Sequence, residues 1–148
     1  MKILVTGSTG FIGSNLLKYL IQNNHKVIGI SRNNSKKCIN NLDLRNFRKL
    51  NEFFIGRRFD AIIHLAGTID EKDPFSMFQN NCLTTLNLLK CCKIHGIKKF
   101  IFSSSHAVYG KTKLLPINEN DPVNPLTNYA LSKFISENLC KMYFLSYG

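Results

Sequence analysis

Apolar residues fall along this chain in two alternating rhythms, short unbroken runs and longer stretches spaced by three and four. Ile3-Leu4-Val5 is an unbroken run closed by Thr6-Gly7, and Ile12, Leu16, Leu17, Leu20 and Ile21 then recur at the spacing of one helix face. Val27-Ile28-Gly29-Ile30 predicts a second strand, a polar turn follows from Arg32 to Lys37, and residues 38–42 suggest a short third strand. Phe47, Leu50, Phe53 and Phe54 return to helical spacing before the continuous strand Ala61-Ile62-Ile63-His64-Leu65. A long helix is predicted from Phe75 to His95, stopped by Gly96 as glycine commonly stops helices. Phe100-Ile101-Phe102 reads as the next strand and Leu126 to Tyr147 as a final helix. Strands apolar on both faces, separated by helices, require cover on both sides. The fold class expected is therefore α/β, a doubly wound parallel sheet of the Rossmann type. Residues 111–125, with Pro116, Pro122 and Pro125, form the one long loop of this reading, and loops of that length are usually functional or mobile.

The 148 residues fit a single domain spanning residues 1–148. No apolar run approaches the roughly 18–20 residues that cross a bilayer, so no membrane partner is expected. The apolar start, Met1 to Val5, is too short for a signal peptide and has no small-residue cleavage site, which points to the cytoplasm. A net charge of +11 raises nucleic acid as a partner. The basic residues, however, come in scattered groups, Lys36-Lys37, Arg57-Arg58, Lys98-Lys99, then Lys111 and Lys113, with no nucleic-acid-binding motif. A solvated basic surface is the better reading, and its field suits an anionic cofactor and a diphosphate substrate. Cys38, Cys82, Cys91, Cys92 and Cys140 are odd in number and show no metal-ligand spacing, so they read as small thiols in a reducing compartment. No metal site is expected, and His64 and His106 are not needed as ligands.

The turn from the first strand into the first helix carries candidate chemistry. Thr6-Gly7-Ser8-Thr9-Gly10-Phe11-Ile12-Gly13 places glycines where a tight turn (Gly7), close approach of a pyrophosphate (Gly10) and close packing of helix on strand (Gly13) need them. The helix N-terminus adds free N–H groups and a partial positive charge. A second candidate is Tyr129-Ala130-Leu131-Ser132-Lys133, which sets Tyr129 and Lys133 one turn apart on one helix face. A free tyrosine titrates near 10, too high for a base at neutral pH, and a neighbouring ammonium stabilises its phenolate. Such a pair can exchange a proton with an alcohol or ketone while a nicotinamide exchanges hydride at the same carbon. Ser103-Ser104-Ser105 follows the strand Phe100–Phe102, and strand carboxyl ends are where doubly wound folds bind ligands.

Together these segments resemble the short-chain dehydrogenase/reductases. The spacing Gly-x-x-Gly-x-x-Gly and the form Thr-Gly-x-x-Gly-Phe-Ile-Gly are similar to their extended branch of sugar epimerases, dehydratases and reductases. The resemblance implies that Gly7, Gly10, Phe11, Ile12 and Gly13 belong to the phosphate turn. It implies that Asp43-Leu44 contacts adenine, that Leu65-Ala66-Gly67 passes under the cofactor, that Asn81, matching the asparagine before the central helix (otherwise a helix-surface amide), binds the cofactor, and that Tyr129 and Lys133 touch it as well. Ser103-Ser104-Ser105-His106-Ala107-Val108-Tyr109-Gly110 is similar to the epimerase branch, and by that match Ser105 joins Tyr129 and Lys133 as the catalytic set.

Three departures shape the expectation. The end of the second strand bears Ser31-Arg32 where the family usually has an acid for the ribose 2′-hydroxyl, which favours NADP over NAD; Arg32 is otherwise a solvated loop residue or a stacking partner for adenine. His106-Ala107 stand where the dehydratases carry an Asp-Glu pair, which favours an epimerase or ketoreductase. Extended members also continue into later strands and a small sugar-binding domain, absent from these residues. The function expected is thus an NAD(P)-dependent nucleotide-sugar epimerase or ketoreductase, present as its cofactor-binding part, with a nucleotide-sugar partner and a homodimer as the candidate assembly. The alternative is a non-catalytic dinucleotide-binding or interaction module.

Overall fold

A computed structural model describes residues 1–32, 39–112 and 115–147. The chain runs β1 (Lys2–Thr6), α1 (Phe11–Gln22), β2 (Lys26–Ser31), β3 (Ile39–Asn41), α2 (Phe47–Phe54), β4 (Ala61–His64), α3 (Pro74–Phe78), a π-helical turn (Gln79–Leu83), α4 (Thr84–His95), β5 (Phe100–Phe102), a 3-10 turn (His106–Tyr109) and α5 (Asn128–Tyr147). The strands form one sheet in the order β3-β2-β1-β4-β5, every pair parallel. The chain leaves β1 toward β2 and β3, then crosses to β4 and β5 on the other side. This reversal opens a crevice at the carboxyl ends of β1 and β4, the place where such sheets bind ligands.

Successive strand residues face opposite sides, and the core divides accordingly. Leu4, Ile30 and Ile62 pack with Leu50 and Phe54 of α2 and with Leu88 and Cys91 of α4. Ile3 and Val5 face the other way, onto Leu20 of α1, with Leu16, Val27 and Ile63 alongside. Doubly wound cover is thus present as expected. At the far edge, Ile101 of β5 is 56% exposed.

Helix limits follow local chemistry. Asn46 caps α2 by accepting from the Lys49 N–H, and Asp73 caps α3 by accepting from Ser76, with Pro74 in the first turn. Gly96 ends α4 at φ 68°. The single helix read from Phe75 to His95 instead starts at Pro74 and is interrupted by the π turn at Gln79–Leu83. The last helix starts at Asn128 rather than Leu126, because Thr127 caps it, its hydroxyl accepting from the Ala130 N–H. The polar turn read beyond Arg32 lies outside the described residues, as do Cys38, Lys113 and Gly148. No described helix is long and apolar enough to cross a membrane.

Candidate functional site

A cleft of about 310 Å³ opens at the strand carboxyl ends. Gly7 and Gly10 form its base between β1 and α1, Leu65-Ala66-Gly67 its floor, and Leu42-Asp43-Leu44 its far end. Gly7 has φ +66°, and a Cβ there would sit 2.8 Å from the Ala66 nitrogen, so both its conformation and its contact exclude other residues. Gly13 is tighter still: a Cβ would lie 2.2 Å from the Gly7 carbonyl oxygen. At Gly13 the start of α1 therefore lies directly against the turn that follows β1, while Leu20 further along packs on the strand. A Cβ on Gly10 meets only the Gly7 oxygen, at 3.3 Å, and a larger side chain would extend into the space of the cleft. α1 begins with no side-chain cap, which leaves first-turn N–H groups for an anion. The Phe11 and Ile12 side chains are 87% and 60% exposed and do not line the cleft.

The rim is polar. Ser31 and Thr9 hydroxyls are 2.8 Å apart, and the Arg32 Nη1 donates to Asn80 Oδ1 at 2.8 Å, bridging β2 to the π turn. Asn80 Nδ2 donates in turn to the Ser76 carbonyl at 2.7 Å. The Asp43 carboxylate is engaged by Arg45, whose Nη2 lies 2.6 Å away. That hydrogen-bonded pairing holds the carboxyl below its ordinary value against the opposing effect of burial. Asn80 and Thr84 line the cleft but were missed by sequence reasoning. Their signal was the i, i+4 spacing on a helix whose other face is apolar. In the structure the Thr84 hydroxyl donates to the Asn80 carbonyl at 2.6 Å.

Asn81 is not the surface amide of the alternative reading. It is 2% exposed and does not line the cleft. Its Nδ2 donates to the Thr68 carbonyl and the Ser132 hydroxyl, and its Oδ1 accepts from the Thr68 N–H at 2.8 Å. The π turn holds both asparagines and sends them different ways, Asn80 toward the cleft and Asn81 inward to brace the 67–68 turn against α5.

Beyond Gly67 lie the residues expected to carry chemistry. Lys133 is 5% exposed, its Nζ donates to the Ser103 carbonyl at 2.7 Å, and it sits 4.7 Å from the Phe102 ring centroid. A Cβ on Gly67 would be 3.7 Å from that Nζ, so the cleft floor and the lysine adjoin. Burial lowers the Lys133 pKa, opposed by Cys82 and Glu137. Tyr129, half-buried in the first turn of α5, donates its backbone N–H to the Glu71 carboxylate at 2.9 Å. Ser105 caps the 3-10 turn, its Oγ accepting from the Ala107 N–H at 3.2 Å. Among the described residues none of these three side chains hydrogen-bonds another. The thiols of Cys91 and Cys92 are buried and pushed up to about 12, chiefly by burial, which makes them inert. No cluster of three or more potential metal ligands occurs among the described residues.

A model of the NAD dependent epimerase/dehydratase family matches residues 3–148. The chain belongs to that family. It is 38% identical over 159 aligned positions to a putative UDP-glucose 4-epimerase of Methanocaldococcus jannaschii, covering 99% of this chain and 52% of that protein. The UDP-glucose 4-epimerase of Lacticaseibacillus casei is 32% identical, with 100% and 48% covered. Among solved structures, the Thermotoga maritima UDP-glucose 4-epimerase with UDP-glucose superposes with TM-score 0.93 at 29% identity, covering 100% of this chain and 52% of that one. The Bifidobacterium longum UDP-glucose 4-epimerase in complex with NAD+ and UDP gives TM-score 0.91 at 30% identity, with 99% and 50% covered. This epimerase-family chain therefore spans about half the length of the relatives it matches. The resemblance drawn from its motifs is one of family membership, and the Rossmann-type fold is shared along its whole length.

Proposed function

We propose that these residues are the NAD(P)-binding part of a nucleotide-sugar epimerase acting on a UDP-hexose, and that Ser105, Tyr129 and Lys133 carry its proton transfer. The observation that carries this reading is the buried Lys133 ammonium. It is held at the carboxyl end of β5 by the Ser103 carbonyl, one helical turn from Tyr129, and adjoins the floor of a glycine-lined cleft. A buried lysine with no carboxylate in direct contact would be costly as mere structure, and Tyr129 one helical turn away gives the charge a purpose. This supports a catalytic reading over a non-catalytic module.

The cleft suits the group it would hold. Gly7 and Gly10 let backbone approach a pyrophosphate, the uncapped α1 N-terminus offers N–H groups, and Leu42, Asp43 and Leu44 form a half-apolar end for adenine. When bound, NAD(P) supplies hydride exchange at the sugar carbon. With the Lys133 ammonium stabilising its phenolate form, Tyr129 Oη takes the proton of the sugar hydroxyl at that carbon and becomes the neutral phenol. Ser105 Oγ–H donates to the same sugar oxygen. His106 and Ala107 offer no acid–base pair for elimination, which supports epimerisation or ketone reduction over dehydration. The relatives' names, UDP-glucose 4-epimerases, support epimerisation over ketone reduction.

For the cofactor, no carboxylate occurs from Ser31 through Leu42 in the sequence, and the Arg32 guanidinium stands at the cleft. On that basis we propose NADP as the preferred dinucleotide, although the Bifidobacterium longum relative was solved with NAD+. Calorimetric titration with NAD+, NADP+ and UDP-glucose, joined to a coupled UDP-glucose/UDP-galactose interconversion assay of the full-length protein, tests the reading. Binding of neither dinucleotide sinks it. Activity that survives Tyr129→Phe removes the proton-transfer assignment.

A further inference from the structure

Beneath the cleft, three buried side chains unused by the chemistry above form a continuous hydrogen-bonded line. The sheet register sets Thr6 of β1 beside His64 of β4, both at the strand carboxyl ends. Thr6 Oγ1 accepts from the Ala66 N–H at 3.2 Å and lies 2.7 Å from His64 Nδ1. His64 Nε2 lies 3.0 Å from Thr85 Oγ1, which donates to the Asn81 carbonyl at 2.7 Å. Thr6, His64 and Thr85 are each fully buried. A hydroxyl has one proton to give. Thr85 gives its proton to Asn81, so it accepts from His64, which makes Nε2 the protonated nitrogen. Nδ1 is then bare and accepts the Thr6 proton. The line runs in one direction, from the Ala66 N–H to the Asn81 carbonyl, with each hydroxyl and the ring giving its one proton once. The Phe100 and Phe102 rings flank the imidazole at 6.0 and 5.7 Å. Burial, together with the charge on Lys133, pushes its pKa down to about 3, so the neutral ring this line requires is the form present.

We propose that His64 is a positioning residue. As the neutral Nε2–H tautomer it locks the floor Leu65-Ala66-Gly67 to the π turn that carries Asn80 and Asn81, and so sets the width of the cleft. The inference rests on the reading of that cleft as the dinucleotide site. Its consequence is that Thr6, His64 and Thr85, none of which lines the cleft, control dinucleotide affinity as well as stability.

Two measurements on the 148-residue chain test it. Nitrogen-15 long-range NMR, with His64 assigned through backbone connectivities, is expected to show a neutral Nε2–H ring that does not change between pH 8 and 5. Calorimetry with NADP+ and with NAD+, well below each variant's Tm, is expected to show Thr85→Val weakened about tenfold and Thr85→Ser restored to near wild-type affinity. An Nδ1–H tautomer, or an imidazolium at pH 6, overturns the line; so does Thr85→Val binding as tightly as wild type while its Tm falls, since that marks a purely structural role. If Thr85→Val does not fold, the tautomer decides. If the wild type binds no dinucleotide, the reading of the cleft has failed, and the NMR result still decides the hydrogen-bonded line.

Discussion

Gly10, Lys133 and His64 are each held by a different physical constraint, and each is tested by its own substitution. Gly10 has the least protein around it of the three glycines in the phosphate turn, so its role is toward the ligand. Gly10→Val should leave the fold intact and weaken dinucleotide binding at least tenfold, roughly 1.4 kcal/mol, by calorimetry. Gly13 is the opposite case, with the Gly7 oxygen 2.2 Å from its absent Cβ. Gly13→Ala should cost about 1–3 kcal/mol of stability, visible as a lowered Tm. The pH dependence falls to His64. Its pKa is about 3 in the folded chain and 6.5 ordinarily, so below 6.5 the unfolded chain binds a proton that the folded chain refuses. The stabilisation is complete above pH 6.5 and is lost as pH falls toward 3, at about 1.4 kcal/mol per pH unit. Thermal melts from pH 7.5 to 5 should show this slope, and His64→Gln should flatten it. His64 could be read from the sequence as an interior strand residue. Its tautomer could not, since that depends on Thr6 and Thr85, 58 and 21 residues away.

At the level of elements, the π turn between α3 and α4 carries two adjacent asparagines that face different parts of the molecule. It keeps Asn80 at the cleft, holding Arg32, and turns Asn81 inward onto Thr68 and Ser132. Asn81→Ala strips the Thr68 N–H and Ser132 hydroxyl of buried partners. The expected cost is about 1–3 kcal/mol, with loosening of the 67–68 turn detectable as faster amide exchange at Thr68. The sequence announced a helix here but not its interruption, because helical periodicity barely registers one extra residue per turn. Where a cap residue was present, as at Asn46, Asp73 and Thr127, the element began at it.

Taken as a whole, the molecule presents the cleft proposed for the dinucleotide beside the side chains proposed for proton transfer, and the cleft does not reach them: Ser105, Tyr129 and Lys133 are not among its lining. Positioning of reactants supplies up to roughly 7–11 kcal/mol of barrier lowering, and none of the three lines this cleft. The 148 residues by themselves are therefore expected to bind NAD(P) but to interconvert UDP-glucose and UDP-galactose weakly or not at all. Robust turnover by the monodisperse chain in the coupled assay would refute this. Exposed apolar residues, Ile101 on edge strand β5 and Phe144 and Leu145 on α5, also favour self-association. Sedimentation velocity should show a species larger than a monomer, reduced by Phe144→Ser with Leu145→Ser.

The sequence by itself determined the order of strands and helices, the α/β class, the glycine turn and the Tyr129–Lys133 pair. These rest on local periodicity, on backbone freedom at single positions, or on the one-turn spacing of a helix, all of which act within a few residues. Only the tertiary structure decided that Arg32 reaches Asn80, that Asn81 turns away from the cleft, that Lys133 is held by Ser103, and that His64 is wired between Thr6 and Thr85. Each of those contacts joins residues 21 to 58 positions apart. Their geometry comes from strand register and helix packing, which arise when the whole sheet buries its two faces and which no local pattern in the chain records.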